Sequence, residues 1–329
     1  MNSPSAALTH HPPELSCPAL TEACLAVSAT SVKPDIITMT PHAFSNIKLV
    51  ASDLDGTLLV HSDVTAQAGG APTKRALDVL HKLAKQGVRV LLASGRPPRT
   101  MQCAVDQMGL DNILTICCNG GLVYDSFSKT IAKKYSIPNQ HVKLIINTLL
   151  QDIGPSVCLG AESGLHFVCD KNYEVNRRDF LDHDYILRDP TEFIKDEEDT
   201  IEKLVVIQPG VMAETLNQRL LELFGGDEWK DIVNITFSNP HSIEISAAGV
   251  SKGSALKDLC KDLGYEPAHV IAFGDMPNDS EMLIWAGTGI AVGNAHPSVK
   301  EIADRITQSN EHDGVAIVLE EVLEHLGTN

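Results

Sequence analysis

The chain has 329 residues, 43% of them hydrophobic and 21% charged, with a formal net charge of −17. That length sets two domains as the first expectation, and the composition is that of an ordinary globular protein. The negative balance argues against nucleic acid as a partner, because its phosphates need Lys and Arg to neutralise them; no apolar run reaches the roughly 18 residues of a membrane span.

Residues 1–45 are rich in Pro, Ser, Thr and Ala, have little periodicity, and are expected to be disordered. They lack a basic start and an apolar core, so a secretory signal is not expected. Lys33 is their single Lys or Arg, and Glu14, Glu22 and Asp35 speak against a transit peptide. The eight cysteines form no C-x-x-C pair and are read as reduced, buried side chains, which fits a reducing compartment. The expected location is the cytoplasm, with organelle import left open by the N-terminal extension.

Ile47 to Ser52 is apolar and β-branched enough for a buried strand, and it delivers Asp53-Leu54-Asp55-Gly56-Thr57 to its C-terminal end. Gly56 permits a turn that other residues resist. Two carboxylates at one strand tip repel each other unless a cation sits there, and their oxygens suit a hard ion such as Mg²⁺. Taken alone, the motif reads equally well as a solvated Asp-Gly turn. A loop is expected from His61 to Ala71. Thr73 reads as the N-cap of a helix carrying Ala76, Leu77, Leu80, Leu83 and Ala84, with Gly87 as its stop. Val88 to Ala93 is a second buried strand, ending at Ser94-Gly95-Arg96-Pro97-Pro98, and a helix through Met101 to Met108 follows. Ile113 to Cys118 is a third strand, ending at Asn119-Gly120-Gly121. This alternation predicts an α/β fold with a Rossmann-like, doubly wound parallel sheet.

Leu122 to Ile137 reads as a β-hairpin. From Pro138 to about Pro240 helical runs (Val142 to Leu150, Val211 to Leu223) mix with strand-like ones (Lys203 to Gln208, Val233 to Phe237), which predicts an inserted α+β domain. The expected division is therefore 46–137 and 241–329 for the core and 138–240 for the insert. The first sheet is expected to resume at Ser242-Ile243-Glu244-Ile245. Ser251-Lys252-Gly253 opens a helix closed by Gly264, and Val270 to Phe273 is a strand ending at Gly274-Asp275-Met276-Pro277-Asn278-Asp279. A helix through Met282 and Trp285, a strand at Gly289 to Val292 and two more helices finish the chain.

Parallel connectivity gathers these strand ends on one edge, where ligands of open α/β sheets bind. Asp53, Asp55 and Asp275 offer oxygens for Mg²⁺. Ser94 and the Gly95 amide offer donors at a helix start, and Lys252 offers a compact cation for phosphate. Together they suit phosphoryl transfer. Ser94 can also cap its helix, a role compatible with binding, and Arg96 reads as a structural or ion-pairing residue. No His lies at a metal-ligand spacing.

Four motifs in order carry a resemblance: Asp53-Leu54-Asp55-Gly56-Thr57, Ala93-Ser94-Gly95-Arg96, Ser251-Lys252-Gly253 and Gly274-Asp275-Met276-Pro277-Asn278-Asp279. From about Ile47 to the C-terminus the chain resembles phosphatases of the haloacid dehalogenase superfamily, Cof-like (type IIB), with a cap inserted after the third strand. The resemblance implies Asp53 as nucleophile and Asp55 as general acid/base. It implies Mg²⁺ on Asp53, the Asp55 backbone carbonyl and Asp275, which leaves the Asp55 carboxyl free. Phosphate would contact Ser94, Gly95, Lys252 and Asn278, and the Asn119-Gly120 turn would face substrate. Asp279 is read as orienting Lys252 or a metal-bound water. The implied activity is Mg²⁺-dependent hydrolysis of a small phosphorylated metabolite (a sugar, nucleotide or cofactor phosphate) through an aspartyl-phosphate. A phosphomutase of the same superfamily and a catalytically idle binding protein are the alternatives.

Overall fold

The structure, a computed structural model, describes residue 44 and residues 46–60, 70–110, 113–177 and 184–327. The extension expected to be disordered lies outside the described residues except at Phe44. That side chain is buried, with its ring 5.7 Å from His325, so apolar packing begins ahead of the expected boundary at residue 46.

The chain enters through β1 (Leu49–Ser52), buried along its whole length. β2 (Leu59–Val60) pairs antiparallel with β3 (Ala71–Pro72). Between them the expected loop lies outside the described residues apart from Gly70 and Ala71. In α1 (Lys74–Lys85) Thr73 caps as expected, accepting from the Ala76 amide at 3.1 Å, and Ala76, Val79, Leu80 and Leu83 are buried. β4 (Arg89–Ala93), α2 (Pro98–Met108) and β5 (Leu114–Cys117) complete the alternation. The expected hairpin is present as β6 (Leu122–Asp125) and β7 (Thr130–Lys134).

The middle of the chain holds α3 (Asn139–Asp152), β8 (Cys158–Ser163), β9 (His166–Cys169), α4 (Lys171–Arg177), β10 (Tyr185–Leu187), β11 (Lys203–Ile207), α5 (Ala213–Leu223), β12 (Val233–Asn239) and β13 (Ser242–Ala247). It ends with α6 (Lys252–Leu263), β14 (Val270–Gly274), α7 (Ser280–Trp285), β15 (Thr288–Ala291), α8 (Pro297–Ile302), β16 (Arg305–Ile306) and α9 (Gly314–Leu326).

Two main sheets result. The first has the order β16-β15-β14-β1-β4-β5-β6-β7; β16 through β5 run parallel and the β6–β7 hairpin is antiparallel. Helices cover it around one apolar core, as a doubly wound sheet requires. The second has the order β10-β9-β8-β11-β13-β12. One of its faces packs Leu204, Val206, Ile243 and Ile245 against Val142, Ile146, Leu216 and Leu220 of α3 and α5.

The expectation that the first sheet resumes at Ser242 is corrected here. β13 pairs antiparallel with β12 and β11, in the second sheet. The short connection between Asn239 and Ser242 can only return the chain antiparallel; rejoining a parallel sheet takes a longer crossover. The chain re-enters the first sheet only at β14, after α6. Three strands of the second sheet, β8, β9 and β10, had no expectation attached.

Candidate active site

β1, β4 and β14 are adjacent and parallel, so their C-terminal ends place Asp53, Ser94 and Asp275 on one edge. α6 starts at the same edge, because Ser251 caps it by accepting from the Ser254 amide at 3.1 Å. The first residue of that helix, Lys252, is buried among carboxylates: its Nζ donates to Asp53 Oδ1 and to Asp279 Oδ1, each at 2.6 Å. Asp279 is fully enclosed, and its other oxygen accepts the amides of Asp275 and Met276 at 2.9 and 3.0 Å. Both its oxygens are thus engaged in holding Lys252 and the β14 turn. Thr57 Oγ1 donates to Asp275 Oδ1 at 2.7 Å.

Gly56 has φ +82°, and a Cβ there would lie 2.5 Å from Asp275 Oδ2, so the turn can close on Asp275 only with glycine. Gly120 is constrained in the same way: φ is +102° and a Cβ would stand 2.2 Å from the Ser251 carbonyl oxygen. The Asn119–Gly121 turn therefore packs directly on the start of α6.

Carboxylate oxygens of Asp53, Asp275 and Asp279 all lie within 4.8 Å of one another. Burial pushes the Asp53 carboxyl well above the usual range; Lys252 opposes this, while Asp279, Asp275 and Asp55 add to it. Burial, with Asp279, pushes Asp275 up to about 7 against the pull of Thr57 and Lys252. One ammonium does not balance this many buried anions, so the cluster holds protons unless more positive charge arrives. An all-oxygen donor set with that deficit fits a hard divalent cation such as Mg²⁺.

Asp55 lies beside the cluster, and its carboxyl is engaged by Arg96 rather than by the other carboxylates' Lys252. Arg96 grips it with a two-pronged ion pair, Nε to Oδ2 at 2.7 Å and Nη2 to Oδ1 at 2.5 Å. The ion-pairing reading of Arg96 holds: β1 and β4 are adjacent and parallel, so the turns that follow them, carrying Asp55 and Arg96, meet. Ser94 Oγ accepts the Arg96 amide at 3.1 Å, so its own proton remains to be donated. Asn278 Nδ2 donates to Asn119 Oδ1 at 2.9 Å, while Asn278 Oδ1 is buried without a partner among the described residues.

Five residues at the site have contacts that the sequence pattern does not assign. Thr57, inside its motif, is one. Lys203 Nζ donates to Glu244 Oε1 at 2.7 Å and to the Gly95 carbonyl at 2.6 Å, and Glu244 Oε2 accepts Asn119 Nδ2 at 2.9 Å. Arg99 Nη1 donates to Glu162 Oε2 at 2.7 Å, with its guanidinium 5.4 Å from the Phe167 ring centre. Lys203, Glu244, Arg99, Glu162 and Phe167 border a cavity of about 250 Å³ between α2 and the second sheet, which Tyr173 and Tyr185 also line. The signal was available: Lys203 starts the otherwise apolar run Leu204-Val205-Val206-Ile207, and Glu244 interrupts Ile243 and Ile245. A lone charge in a buried strand needs a partner.

Comparison with known proteins agrees with the geometry. A family model described as haloacid dehalogenase-like hydrolase matches residues 50–319. A Bacillus subtilis (strain 168) protein named 5-amino-6-(5-phospho-D-ribitylamino)uracil phosphatase YcsE is 30% identical over 275 residues, covering 82% of this chain and 94% of its own. Among solved structures, SMU.1108c from Streptococcus mutans UA159 superposes with a TM-score of 0.72 at 23% identity, over 84% of this chain and 99% of its own. A haloacid dehalogenase-like hydrolase from Bacteroides thetaiotaomicron gives a TM-score of 0.65 at 26% identity, over 84% and 99% respectively.

Proposed function

The chain belongs to the haloacid dehalogenase-like hydrolases and is a phosphatase of that superfamily, and from that premise we propose Mg²⁺-dependent hydrolysis of a small phosphomonoester through a phosphoryl group carried on Asp53. The observation that carries the reading is the buried trio of Asp53, Lys252 and Asp279, joined by two 2.6 Å bonds and standing beside Asp275. Asp53 and Asp275 would hold the ion, with the Asp55 carbonyl; Asp279, engaged through both oxygens, would hold Lys252 in place. Bound Mg²⁺ would neutralise phosphate oxygens and keep Asp53 ionised.

The residues divide the work as follows. A carboxylate oxygen of Asp53 forms a bond to phosphorus while the ester P–O bond breaks. The departing oxygen would take a proton from Asp55; both Asp55 oxygens accept from Arg96 in the resting site, so one must leave that pair to carry the proton. Water then attacks the acyl-phosphate, gives a proton to the Asp55 carboxylate, and releases phosphate from a regenerated Asp53. Arg96 fixes where the Asp55 carboxyl stands. Ser94, the Gly95 amide, Lys252 and Asn278 would supply donors to the phosphate oxygens.

The second sheet would serve as a cap that excludes water and selects the leaving group. The aromatic and charged lining of the α2 cavity suits a polar ring or polyol, and YcsE is named for a uracil carrying a phosphorylated ribityl chain. Such compounds therefore belong in the assay beside sugar, nucleotide and pyridoxal phosphates. The cytoplasm is the proposed compartment; among the described residues the six cysteines are free, and no helix is long and apolar enough to cross a membrane.

The test is phosphate release from this panel with Mg²⁺ and with EDTA, in wild-type protein and Asp53→Asn. Release that needs Mg²⁺ and disappears in the variant supports the reading. Hexose-phosphate isomerisation without net release would favour a mutase, and release that survives in Asp53→Asn would remove Asp53 as nucleophile.

A further inference from the structure

The second sheet does more than border the site. In its register Lys203 of β11 lies opposite Glu162 of β8, and Val205 lies opposite Glu244 of β13. Residues two apart on a strand share a face, so Glu162, Lys203 and Glu244 stand together on one face. That face carries Phe167, Tyr173 and Val205, and it is opposite the one covered by α3 and α5. From it Lys203 and Glu244 reach into the first sheet's loops. Both are buried. Burial by itself would raise the Glu244 carboxyl, but the Lys203 ammonium, aided by bonds from Asn119 and Ser238, holds it below the usual range.

An ionised carboxylate accepts hydrogen bonds and donates none. Asn119 must therefore turn its NH₂ to Glu244, which directs its Oδ1 at Asn278. Asn278 must then turn its own NH₂ to Asn119. Neither amide can flip without setting two like groups against each other. The cost is visible at Asn278 Oδ1, which is left buried without a partner among the described residues. The gain is that Asn278 keeps a second N–H in a fixed direction. Lys203 acts on the other side. It holds the carbonyl of the Gly95–Arg96 peptide, whose N–H donates to Ser94 Oγ. That contact fixes the Ser94 hydroxyl as an acceptor there and leaves its proton to point elsewhere. The packing around Gly95 is close: a Cβ would lie 3.1 Å from Glu244 Oε1 and 3.2 Å from Asn119 Oδ1.

We propose that Lys203 and Glu244, contributed by the second sheet, are positioning residues that set the donor directions of Ser94 and, through Asn119, of Asn278 for a phosphate group. This rests on the phosphatase reading for the location of the phosphate, and on hydrogen-bond geometry for the rest. A phosphate bound at that edge meets N–H and O–H groups already aimed, with no reorganisation on binding. Removing the carboxylate charge frees both amides to rotate, so Glu244 acts on phosphate only through Asn119 and Asn278.

That dependence gives the test. The probe is inorganic phosphate titrated calorimetrically into the full chain in saturating Mg²⁺, with Mg²⁺ affinity measured separately. Glu244→Gln is expected to weaken phosphate binding about tenfold or more, Asn278→Ala by a similar factor, and the two together no more than the worse single change, because they act on one donor. Mg²⁺ affinity is expected to stay within about twofold, which a general loosening of the site would not allow. Losses that multiply, or a Glu244→Gln protein that binds phosphate like wild type, overturn the proposal. If Glu244→Gln does not fold by circular dichroism, Lys203→Met with Glu244→Gln, which removes both charges of the pair, takes its place; because it also releases the Gly95 carbonyl beside Ser94, it is expected to weaken phosphate binding at least as much as Asn278→Ala with Mg²⁺ affinity within about twofold, and phosphate binding like wild type overturns the proposal. Wild-type protein that binds no phosphate overturns the positioning role. Wild-type protein that binds phosphate but hydrolyses no ester overturns the phosphatase reading alone.

Discussion

With divalent cations withheld, this protein should lose stability as pH rises through neutrality, opposite to the usual behaviour of carboxylates. Asp275 is 7% exposed, and its folded pKa of about 7 lies well above the ordinary 3.8. A carboxyl of this kind binds its proton more tightly when folded, so its contribution is complete below the unfolded value and is lost as pH rises through the folded one. A rise of roughly 3 units corresponds to about 4 kcal/mol, of which about 3 kcal/mol falls between pH 5 and 8. The Asp53 carboxyl shifts in the same direction, so the two titrate as a pair. At roughly 2 °C per kcal/mol for a protein of this size, the shift is about 6 °C in Tm. The assay is calorimetric melting in EDTA from pH 5 to 8, for wild type and Asp275→Asn, whose amide carries no charge. Subtracting the two removes the titration of carboxylates elsewhere. The wild-type advantage should shrink by about 6 °C as pH rises, and saturating Mg²⁺ should restore the wild-type Tm at pH 8. A difference that stays flat or grows with pH in EDTA would refute the claim that Asp275 is a buried carboxyl short of positive charge.

Three further expectations follow from the same geometry. Gly56→Ala and Gly87→Ala both place Ala at positive φ, +82° and +86°, but a Cβ meets Asp275 only at Gly56. Gly87→Ala should cost about 1–2 kcal/mol and Gly56→Ala more than that, because its Cβ also meets Asp275, and only Gly56→Ala should weaken Mg²⁺ binding in a titration; equal effects on Mg²⁺ would break the argument. Lys252→Met leaves Asp53 and Asp279 without their shared cation, so denaturant melts should show a loss of about 3–5 kcal/mol, and a loss under 1 kcal/mol would mean the ion pairs do not form. Asp55→Asn should slow alkyl phosphates by about 10²–10⁴-fold while sparing phosphorylation by an aryl phosphate, whose leaving group needs little protonation. Single-turnover trapping of phosphoenzyme measures this, and equal losses for both esters would remove Asp55 as the acid.

The acidic half of the site was legible in the sequence because each of its residues sits beside a local punctuation mark. Asp53, Ser94 and Asp275 each follow a run of buried apolar residues, and Lys252 follows a helix-capping Ser. Strand length, period and capping are local properties. They fix which residues stand at strand ends, and parallel connectivity then brings those ends together. What the sequence could not supply is the pairing between distant segments. Arg96 on Asp55, Lys203 on Gly95 and Glu244 on Asn119 join positions 41, 108 and 125 residues apart. The strand Ser242–Ala247 reads as buried in any sheet, and only the short return from β12 assigned it to the second one. A buried charge announces that a partner exists, because burial without one is too costly; which partner it finds is decided by how the two sheets meet.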